Sequence, residues 1–356
     1  MRLYVDMIAF YLQKAGGITN VWKELLIRML RDRMDVILIL QSAECHNIYF
    51  EQIMSLAPEI IYENGNNIFI NRYSSVKCHL EKGSRFLSTY YRISLDRTIF
   101  QYVVIHDFTY ERYVKGVRRA IHSWQKKRAV KCADSLVCVS ENTKKDLLLF
   151  CPWVKKEEVC VIYNGAGDLY HPCCNIGRVE ELGKYNSIPF LLYVGSRAGY
   201  KRFDIAVKAA GSRKYGLVIV GGGALDQKEL RMLRQEIGDQ YVHISNVSDE
   251  RLNLIYNKAF ALMYPSEYEG FGIPVIEAQR AGCPVIACKG SSISEIMGDK
   301  GRLLSACEVS EAERFLSDLE NREYREMIIA EGYKNAERFS WDGAYSAYRK
   351  LFCGIL

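Results

Sequence analysis

Two glutamates, Glu269 and Glu277, stand on either side of a glycine turn in the segment EYEGFGIPVIEA, residues 267–278, with seven residues between them. Each alone has an ordinary explanation: Glu277 would interact with the dipole of a helix, and Glu269 would be a solvated loop residue. A pair of carboxylates beside one turn can also hold the hydroxyl groups of a ligand. One of them would then bind ribose hydroxyls and the other the hydroxyls of a second sugar.

The turn between the glutamates has the composition of a phosphate-binding helix N-terminus. Gly270 and Gly272 allow a sharp turn and a close approach of a ligand to the backbone. Pro274 suits the first helical turn, because a residue at that position needs no N–H donor. The amides of Phe271, Gly272 and Ile273 are then expected to face a ligand. A phosphate at these amides with carboxylates beside it describes a nucleotide-sugar.

A second segment, VGSRAGYKRF at residues 194–203, supplies positive charge. When the bond between a sugar and a nucleoside diphosphate breaks, the departing diphosphate gains negative charge, which fixed cations and dipoles stabilise. Lys201 and Arg197 are the candidates for this role. The alternative explanation for both is a basic loop before a helix.

The elements that position these residues follow from an alternation of short apolar runs with helical stretches. In the first half, strands are predicted at LYVDMIAF, DVILIL, QYVVIHD, SLVCVS and VCVIYNG, and helices at residues 18–32, 111–131 and after the cap of SENTKKDLLLF. Residues 165–189 contain glycine and proline without periodicity, which is typical of a linker. The alternation then restarts at FLLYVG and continues to PVIAC. Two such series predict two doubly wound α/β domains, which bind ligands at the carboxyl ends of their strands.

Length and composition agree with two globular domains. The chain has 356 residues, of which 49% are apolar and 25% charged. No apolar run is long enough to cross a bilayer, and the first residues, with Asp6 inside the apolar stretch, indicate a strand rather than a signal peptide. The twelve cysteines show no CxxC pair and no zinc-binding spacing, so free thiols in a reducing cytosol are expected.

The positive charge is concentrated in one part of the chain. Residues 72–131 hold fourteen Lys/Arg and four Asp/Glu, a local charge of +10 that leaves −4 for the rest of a chain with net charge +6. The basic helix predicted at residues 111–131 carries Trp124 among its cations. Such a helix can be a solvated face, or it can contact an anionic membrane surface or a lipid-diphosphate acceptor. No nucleic-acid-binding motif is present, so no nucleic acid is expected as a partner.

The segment EYEGFGIPVIEAQRAGCPVIA resembles the E-x7-E signature of the retaining glycosyltransferases of family four, which have the GT-B fold. The resemblance covers nearly the whole chain, through VVIHDF, VIYNGAG, LLYVGSRAGYKRFDIAVKAA and FSWDGAYSAYRKLF. It implies two Rossmann-like domains that face each other across a cleft, an acceptor-binding domain at residues 1–170 and a nucleotide-sugar-binding domain at residues 186–339. The closing helix, residues 340–356, would cross back onto the first domain.

The resemblance also implies roles for single residues of the second domain. Glu277 would hold the ribose and Glu269 the hydroxyls of the transferred sugar. Lys201 matches the lysine of the family, and it would stabilise the diphosphate. In many members an arginine directly follows the glycine of this loop, but here that position is Ser196, and Arg197 is the nearest arginine that could bind the donor.

In the first domain the resemblance points to a histidine and a glycine turn. His106 would act at the donor site, with a structural histidine as the alternative explanation. Gly16 and Gly17 would form a turn close to the diphosphate, with a simple tight turn as the alternative. The glycine run 221–223 resembles a phosphate loop, and in this fold it would lie near the base and ribose.

By this resemblance the chain would be a retaining hexosyltransferase of polysaccharide biosynthesis, cytoplasmic or peripheral at the inner face of the membrane. Its donor would be GDP-mannose or, as the alternative, a UDP-sugar, and its acceptor a growing glycan, lipid-linked or free. No DxD motif is present, so cations and amides would replace a metal, and no metal or cofactor is expected. A GT-B sugar epimerase, a non-catalytic nucleotide-binding scaffold and a nucleic-acid-binding protein are the alternatives.

Overall fold

The computed structural model describes residues 2–63, 67–298 and 302–354. The chain divides into two compact units, each with its own sheet and core. Unit 1 comprises Met1–Asn164 together with Trp341–Leu356, and unit 2 comprises Gly165–Ser340.

Unit 1 is built on a parallel sheet of seven strands. The strands are β1 (Leu3–Asp6), β2 (Val36–Leu40), β3 (Glu59–Tyr62), β4 (Arg85–Ser88), β5 (Phe100–Ile105), β6 (Ser135–Cys138) and β7 (Val159–Val161). Their order in the sheet is β3-β2-β1-β4-β5-β6-β7. The direction of strand addition reverses between β1 and β4, and the loops after such a pair flank the crevice where doubly wound sheets bind ligands.

The helices of the first part of unit 1 lie between these strands. They are α1 (Ile8–Leu12), α2 (Gly17–Arg31), α3 (Phe50–Met54), α4 (Ile68–Asn71), α5 (Thr109–Tyr113), α6 (Gly116–Cys132) and α7 (Glu141–Phe150). The predicted cap of α7 is present, since the Ser140 hydroxyl accepts a hydrogen bond of 3.0 Å from the Thr143 amide.

Unit 2 repeats the plan with six parallel strands. They are β8 (Phe190–Val194), β9 (Gly216–Val220), β10 (Tyr241–Ile244), β11 (Ala261–Tyr264), β12 (Val285–Cys288) and β13 (Arg302–Leu304), in the order β10-β9-β8-β11-β12-β13. Its helices are α8 (Phe203–Arg213), α9 (Gln227–Glu236), α10 (Asp249–Lys258), α11 (Ile273–Arg280), α12 (Ile293–Ile296), α13 (Val309–Asp318) and α14 (Arg322–Ala336). This is the Rossmann strand order, and it reverses between β8 and β11.

The last helix, α15 (Trp341–Phe352), belongs to unit 1. It packs on α2, where Arg28 forms an ion pair of 2.7 Å with Asp342. The Tyr345 hydroxyl donates a hydrogen bond of 2.7 Å to Asp32, at the end of the same helix. The predicted return of the closing helix to the first domain is therefore confirmed, although residues 355 and 356 of the predicted range lie outside the described residues.

The segment 165–189, expected as a linker, is part of unit 2. The Tyr170 hydroxyl donates a hydrogen bond of 3.1 Å to Asp249 on α10. The amides of His171 and Cys173 donate to the side chains of Asn253 and Asn257 on the same helix, at 3.1 and 2.8 Å. The backbone of this segment is thus held by hydrogen bonds to asparagine side chains and not by a neighbouring strand. Contacts of this kind leave no hydrophobic periodicity in the sequence. The boundary lies at residue 164 rather than 170, and unit 2 begins at 165 rather than 186.

Two elements of unit 1 also differ from the expectation. The strand predicted through LYVDMIAF ends at Asp6, and α1 begins at Ile8. The basic helix predicted over residues 111–131 is two helices, α5 and α6, because Val114 and Lys115 between them take extended backbone conformations. The second helix carries most of the cations.

Two of the twelve cysteines are not free, contrary to the expectation. Cys288, at the end of β12, is joined to Cys307 by a disulfide, with 5.3 Å between their Cα atoms. The separation is within the range that a disulfide requires. The other ten cysteines have free thiols.

Candidate functional site

The strand order of unit 2 brings the predicted ligand-binding residues to one edge of its sheet. The loop after β8 holds Arg197 and Lys201, and the loop after β11 holds Glu269 and leads into α11 with Glu277. These are the two strands between which the order reverses, so both loops border the expected crevice.

Lys201 and Glu269 form an ion pair. The Lys201 ammonium lies 2.7 Å from the Glu269 carboxylate, and their side chains are 17% and 14% exposed. Lys201 closes a short 3₁₀ turn, Gly199–Lys201, and Arg202 follows with φ of 46°, a left-handed conformation that sharply redirects the chain into α8. The pair is thus reachable from solvent, and an anionic ligand can take the place of the carboxylate as the partner of the ammonium.

A tyrosine and two serines hold Glu269 in place. Tyr264, the last residue of β11, is hydrogen-bonded to Glu269, and burial together with this carboxylate keeps the pKa of Tyr264 well above 10, so its hydroxyl stays a donor. The hydroxyl of Ser291 accepts a hydrogen bond of 3.0 Å from the Glu269 amide. The buried hydroxyl of Ser292 is 2.8 Å from the carbonyls of both Glu269 and Phe271. Sequence reasoning missed these serines, whose only signal is their place after the strand PVIAC.

The turn into α11 has the predicted geometry. Gly272 precedes the helix with φ of 106°, a conformation in which a side chain is strained. A Cβ at this position would also lie 2.6 Å from Ile293. The helix begins at Ile273, with Pro274 in its first turn. The chain therefore turns abruptly and directs the amide end of the helix toward the edge of the sheet.

Glu277 lies on α11 and is held by α10. Its carboxylate accepts a hydrogen bond of 3.1 Å from the hydroxyl of Tyr256, and both residues are buried. Burial, together with this carboxylate, raises the pKa of Tyr256 well above 10, so the phenol remains a donor. Tyr256 was not among the predicted site residues, because nothing in the sequence links it to a helix twenty-one positions away.

Arg197 is not brought together with Lys201 and Glu269. Its guanidinium donates to the carbonyl oxygens of residues 221–224, and its Nε forms an ion pair of 2.8 Å with Glu229 on α9. The side chain is only 3% exposed. All of its nitrogens are therefore engaged inside unit 2.

The other predicted residues belong to unit 1. Gly16 precedes α2 and Gly17 is its first residue, so both form the turn that follows α1. The carbonyl of Gly16 accepts hydrogen bonds of 3.0 Å from the Asn20 amide and the Thr19 hydroxyl. Neither glycine has a positive φ in the left-handed region, and Gly17 has open space where a Cβ would stand.

His106 follows β5 and is 8% exposed. Its ring meets the indole of Trp22 edge-on, with 5.9 Å between the ring centroids. Within the described residues its Nε2 is buried without a hydrogen-bond partner. Burial lowers the pKa of His106 to about 4, so the ring is neutral at physiological pH. A neutral imidazole with an unused nitrogen can donate or accept one hydrogen bond.

The basic helix α6 presents fewer cations than the sequence suggested. Lys126 is 1% exposed and forms an ion pair of 2.8 Å with the buried Glu111, and it also donates to the carbonyl of Asp107. Arg128 donates to the carbonyl of Tyr73, at 3.1 Å. These two cations stabilise unit 1 itself.

Residues 2–63, 67–298 and 302–354 contain neither a metal-binding cluster nor a membrane-spanning helix. No group of three or more His, Cys, Asp or Glu side chains in this part of the chain could hold a metal ion. None of its helices combines the length and the apolar composition needed to cross a bilayer.

The chain is similar in sequence to known proteins. Residues 178–335 match the family described as glycosyl transferases, group 1. O-antigen chain mannosyltransferase B of Escherichia coli is 36% identical over 114 residues, which span 31% of this chain and 30% of that protein. O-antigen chain mannosyltransferase RfbU of Salmonella typhimurium is 27% identical over 295 residues, which span 77% of this chain and 79% of the relative.

Among solved structures, the chain is similar to Anabaena Alr3699/HepE in complex with UDP-glucose. The two superpose with a TM-score of 0.74 at 12% sequence identity, over 99% of this chain and 100% of the other. At this identity the likeness concerns the fold.

Proposed function

We propose that the chain is a retaining hexosyltransferase of polysaccharide biosynthesis, within family four, since its residues 178–335 match the group 1 glycosyl transferases and its fold is that of GT-B glycosyltransferases. The observation that carries the proposal is the Lys201–Glu269 ion pair between the loops after β8 and β11, with Glu277 on the helix that follows the second of these loops. These three side chains and the amide end of α11 match the parts of a nucleotide-sugar: diphosphate, sugar and ribose.

In the proposed reaction each group acts on one part of the donor. Glu277, oriented by Tyr256, binds the ribose hydroxyls, and the amide end of α11 binds phosphate. Lys201 leaves Glu269 to stabilise the charge that develops on the departing diphosphate. Glu269 is then free to accept hydrogen bonds from the hydroxyls of the transferred sugar.

The bond changes keep the configuration of the sugar. The bond from the anomeric carbon to the phosphate oxygen breaks, and a bond from the same carbon to the acceptor oxygen forms on the same face. The acceptor proton passes to the departing phosphate. His106, with its unused Nε2, would hydrogen-bond the donor sugar, and Gly16 and Gly17 would let the diphosphate approach the turn before α2.

For the donor we propose GDP-mannose, with a UDP-sugar as the alternative. The names of the two mannosyltransferase relatives support mannose, and the UDP-glucose complex of the structural relative supports a nucleoside diphosphate sugar. The acceptor would be a growing glycan, free or lipid-linked. Because the Lys201 ammonium and the amides at the start of α11 would neutralise the charge of the diphosphate, the reaction would need no metal. Transfer should therefore survive excess EDTA.

We also propose a peripheral contact with an anionic membrane at the cytoplasmic side, through α6 and the preceding turn. Three apolar side chains on this helix are well exposed: Val117 at 73%, Ile121 at 43% and Trp124 at 54%. The cations beside them are Lys115, Arg118 and Arg119, all exposed. Exposed apolar and basic side chains together are the pattern of an interfacial helix.

The test is calorimetry of the purified protein with GDP-mannose, GDP, UDP-glucose and UDP, followed by transfer assays with the donor that binds. We expect tight binding of one donor and, by NMR of the product, the same anomeric configuration as in the donor. An inverted product would remove the retaining mechanism. If none of these four nucleotides binds, the proposed function is wrong.

A further inference from the structure

The disulfide between Cys288 and Cys307 lies at the carboxyl edge of the unit 2 sheet. Cys288 is the last residue of β12, and Cys307 follows β13, the strand at the edge of the sheet. The two strands are parallel, with Cys288 in register with Leu304. Both cysteines therefore stand at the edge to which the loop with Glu269 also belongs.

The chain that follows Cys288 leads directly to the serines that hold Glu269. The Ser291 hydroxyl accepts a hydrogen bond from the Glu269 amide at 3.0 Å. The Ser292 hydroxyl lies 2.8 Å from the carbonyls of Glu269 and Phe271. Ser291 has φ of 46°, a left-handed conformation that costs energy for a serine and persists only where the surroundings hold it. Cys288, close to it in the chain, is one of the residues that anchor this segment.

The other end of the disulfide contacts the loop that carries Glu269. Sγ of Cys307 lies 3.9 Å from the carbonyl oxygen of Pro265, the first residue after β11. Further along the same loop, the Glu267 amide donates a hydrogen bond of 2.8 Å to the carbonyl of Tyr200, in the loop that also holds the catalytic lysine. The two ends of the disulfide thus border the two segments whose hydrogen bonds fix Glu269.

The two cysteines differ in their exposure to solvent. Cys288 is completely buried, whereas Cys307 is partly exposed. A disulfide is reduced when a thiolate attacks one of its sulfurs, so a dithiol reductant would attack Cys307. The mixed disulfide forms at Cys307 and Cys288 leaves as a thiolate. The second thiol of the reductant then displaces Cys307, the reductant becomes a disulfide, and its two protons pass to the two cysteines.

Reduction would leave the folded sheet in place and weaken the support of one loop. Hydrogen bonds alone would then hold the left-handed Ser291 and, through it, Glu269. Cytosolic proteins rarely keep disulfides, and those that they form are usually transient and serve catalysis or redox sensing. At the cytoplasmic location proposed above, the pair would therefore occur in both states.

We propose that Cys288 and Cys307 form a redox-sensitive pair whose disulfide positions Glu269, so that a dithiol reductant lowers the rate of sugar transfer and a disulfide oxidant restores it. The inference rests on the proposed function, in which Glu269 binds the transferred sugar. The two cysteines are positioning residues. Because the change acts through Glu269, it affects turnover and leaves the binding of the sugar-free nucleoside diphosphate nearly unchanged.

The first measurements need no substrate. Mass spectrometry of a digest prepared without reductant should find one peptide pair linked through Cys288 and Cys307, and dithiothreitol should separate it. Hydrogen exchange of the intact protein then compares the two states. Peptides that cover residues 265–272 and 289–296 should exchange at least about threefold faster after reduction, because local opening becomes easier there, while β8 and β9 stay unchanged.

The activity measurement compares the oxidised and reduced protein with the donor that binds. Reduction should lower kcat/KM at least about tenfold, and the affinity for the sugar-free nucleoside diphosphate should stay within about twofold. Cys307→Ser should show the low rate in both states and no response to dithiothreitol. The matched control is Cys174→Ser, which removes an exposed free cysteine of the same unit and should respond like the unaltered protein.

The outcomes that overturn the proposal do not depend on the variants, since reduction of the unaltered protein is itself a test. The absence of the linked peptides, or equal kcat/KM in both states, would overturn it. Faster exchange throughout unit 2 together with weaker nucleotide binding would mean that the disulfide only stabilises the fold. If no nucleotide binds in either state, the proposed function fails, and unchanged exchange of residues 265–272 would still refute the positioning of Glu269.

Discussion

Units 1 and 2 each contain a parallel sheet whose strand order reverses beside the first strand of the unit. The solvent exposure of the ion pairs compared below nevertheless differs between the two units. In unit 2 the pair Lys201–Glu269 is reachable from solvent, with 17% and 14% of the side chains exposed. In unit 1 the pair Lys126–Glu111 is buried, with 1% and 3% exposed. Arg92 likewise lies fully buried between Asp6 and Glu63.

The difference separates structural ion pairs from exchangeable ones. Removing one partner from a buried pair leaves an uncompensated charge, which strongly destabilises a fold. A solvent-reachable pair can exchange its partner for a ligand at small cost, because water can screen the charges during the exchange. Under the proposed function, the Lys201–Glu269 pair of unit 2 would serve binding, whereas the buried pairs of unit 1 serve stability.

The largest expected effect is a loss of unfolding free energy in unit 1 at acidic pH. Burial lowers the pKa of His106 to about 4, from 6.5. The folded state therefore keeps the ring neutral while the unfolded chain takes up a proton, so stability is lost as the pH falls from about 6.5 to about 4. At full protonation the loss is about 3 kcal/mol. His122, whose pKa burial lowers to about 3, adds to the same trend.

All four tryptophans of the chain lie in unit 1, so intrinsic tryptophan fluorescence in urea follows this unit alone. His106→Gln cannot titrate, and it should lose less unfolding free energy between pH 7 and pH 4.5 than the unaltered protein. The same pH dependence in both proteins would contradict the assignment.

The next effect concerns the exchangeable pair itself. Lys201→Ala and Glu269→Ala should each lower kcat/KM by about 10²-fold or more, equal to roughly 2.7 kcal/mol, because both groups act mainly in the transition state. Glu269→Ala should leave the affinity for the sugar-free nucleoside diphosphate nearly unchanged or tighter, since it releases Lys201. Arg202→Gln alters a neighbouring cation that pairs with Asp204 and Glu267, and it is the matched control. A fully active Glu269→Ala enzyme would refute the assignment.

A smaller effect is expected at Glu277. Its replacement by Ala should weaken binding of the free nucleoside diphosphate by roughly 1–3 kcal/mol, the value of a lost charged hydrogen bond. Tyr256→Phe removes only the hydroxyl that orients the carboxylate, and its effect should be smaller still. Calorimetry on folded variants measures both, and unchanged affinity in Glu277→Ala would show that the ribose is held elsewhere.

The smallest effects belong to the surface of α6. If Lys115, Arg118 and Arg119 contact an anionic bilayer, each contributes on the order of 1 kcal/mol, and salt weakens the attraction. The triple exchange to Gln should reduce sedimentation with anionic vesicles and leave nucleotide affinity unchanged.

The control for this experiment exchanges the same number of exposed lysines in unit 2, Lys208, Lys228 and Lys334. It should sediment like the unaltered protein. Equal sedimentation of the unaltered protein with anionic and neutral vesicles would leave a solvated helix face as the explanation of the basic segment.

Much of the fold could be predicted because periodicity reports the elements that bury apolar faces. The strands and helices of unit 2 from β8 to β12 lie where the alternation placed them. The strands β3, β4 and β13 were missed, since EIIY, RFLS and RLL are short and mixed in character. The docked segment 165–189 was missed because its contacts are side-chain hydrogen bonds.

The contacts of the candidate site could likewise be predicted only in part. Spacing within one loop and helix predicted Glu269, Gly272 and Glu277 as neighbours. It could not reveal that the guanidinium of Arg197 binds carbonyls from the loop after the next strand, because that contact depends on tertiary packing. For the same reason the sequence does not show that Lys126, one of the cations of the basic helix, packs against Phe108 with its charge buried.

The place of α15 has a consequence for how the protein is made. The ribosome releases residues 341–354 only after all of unit 2, so unit 2 is complete while unit 1 still lacks its last helix. Until then the α2 surface that α15 covers stays exposed to water and to chaperones. The helix also brings four buried aromatic side chains to unit 1: Trp341, Tyr345, Tyr348 and Phe352. The first unit is thus the last to be completed, and a premature stop codon near residue 340 would leave the second unit whole and the first without this helix.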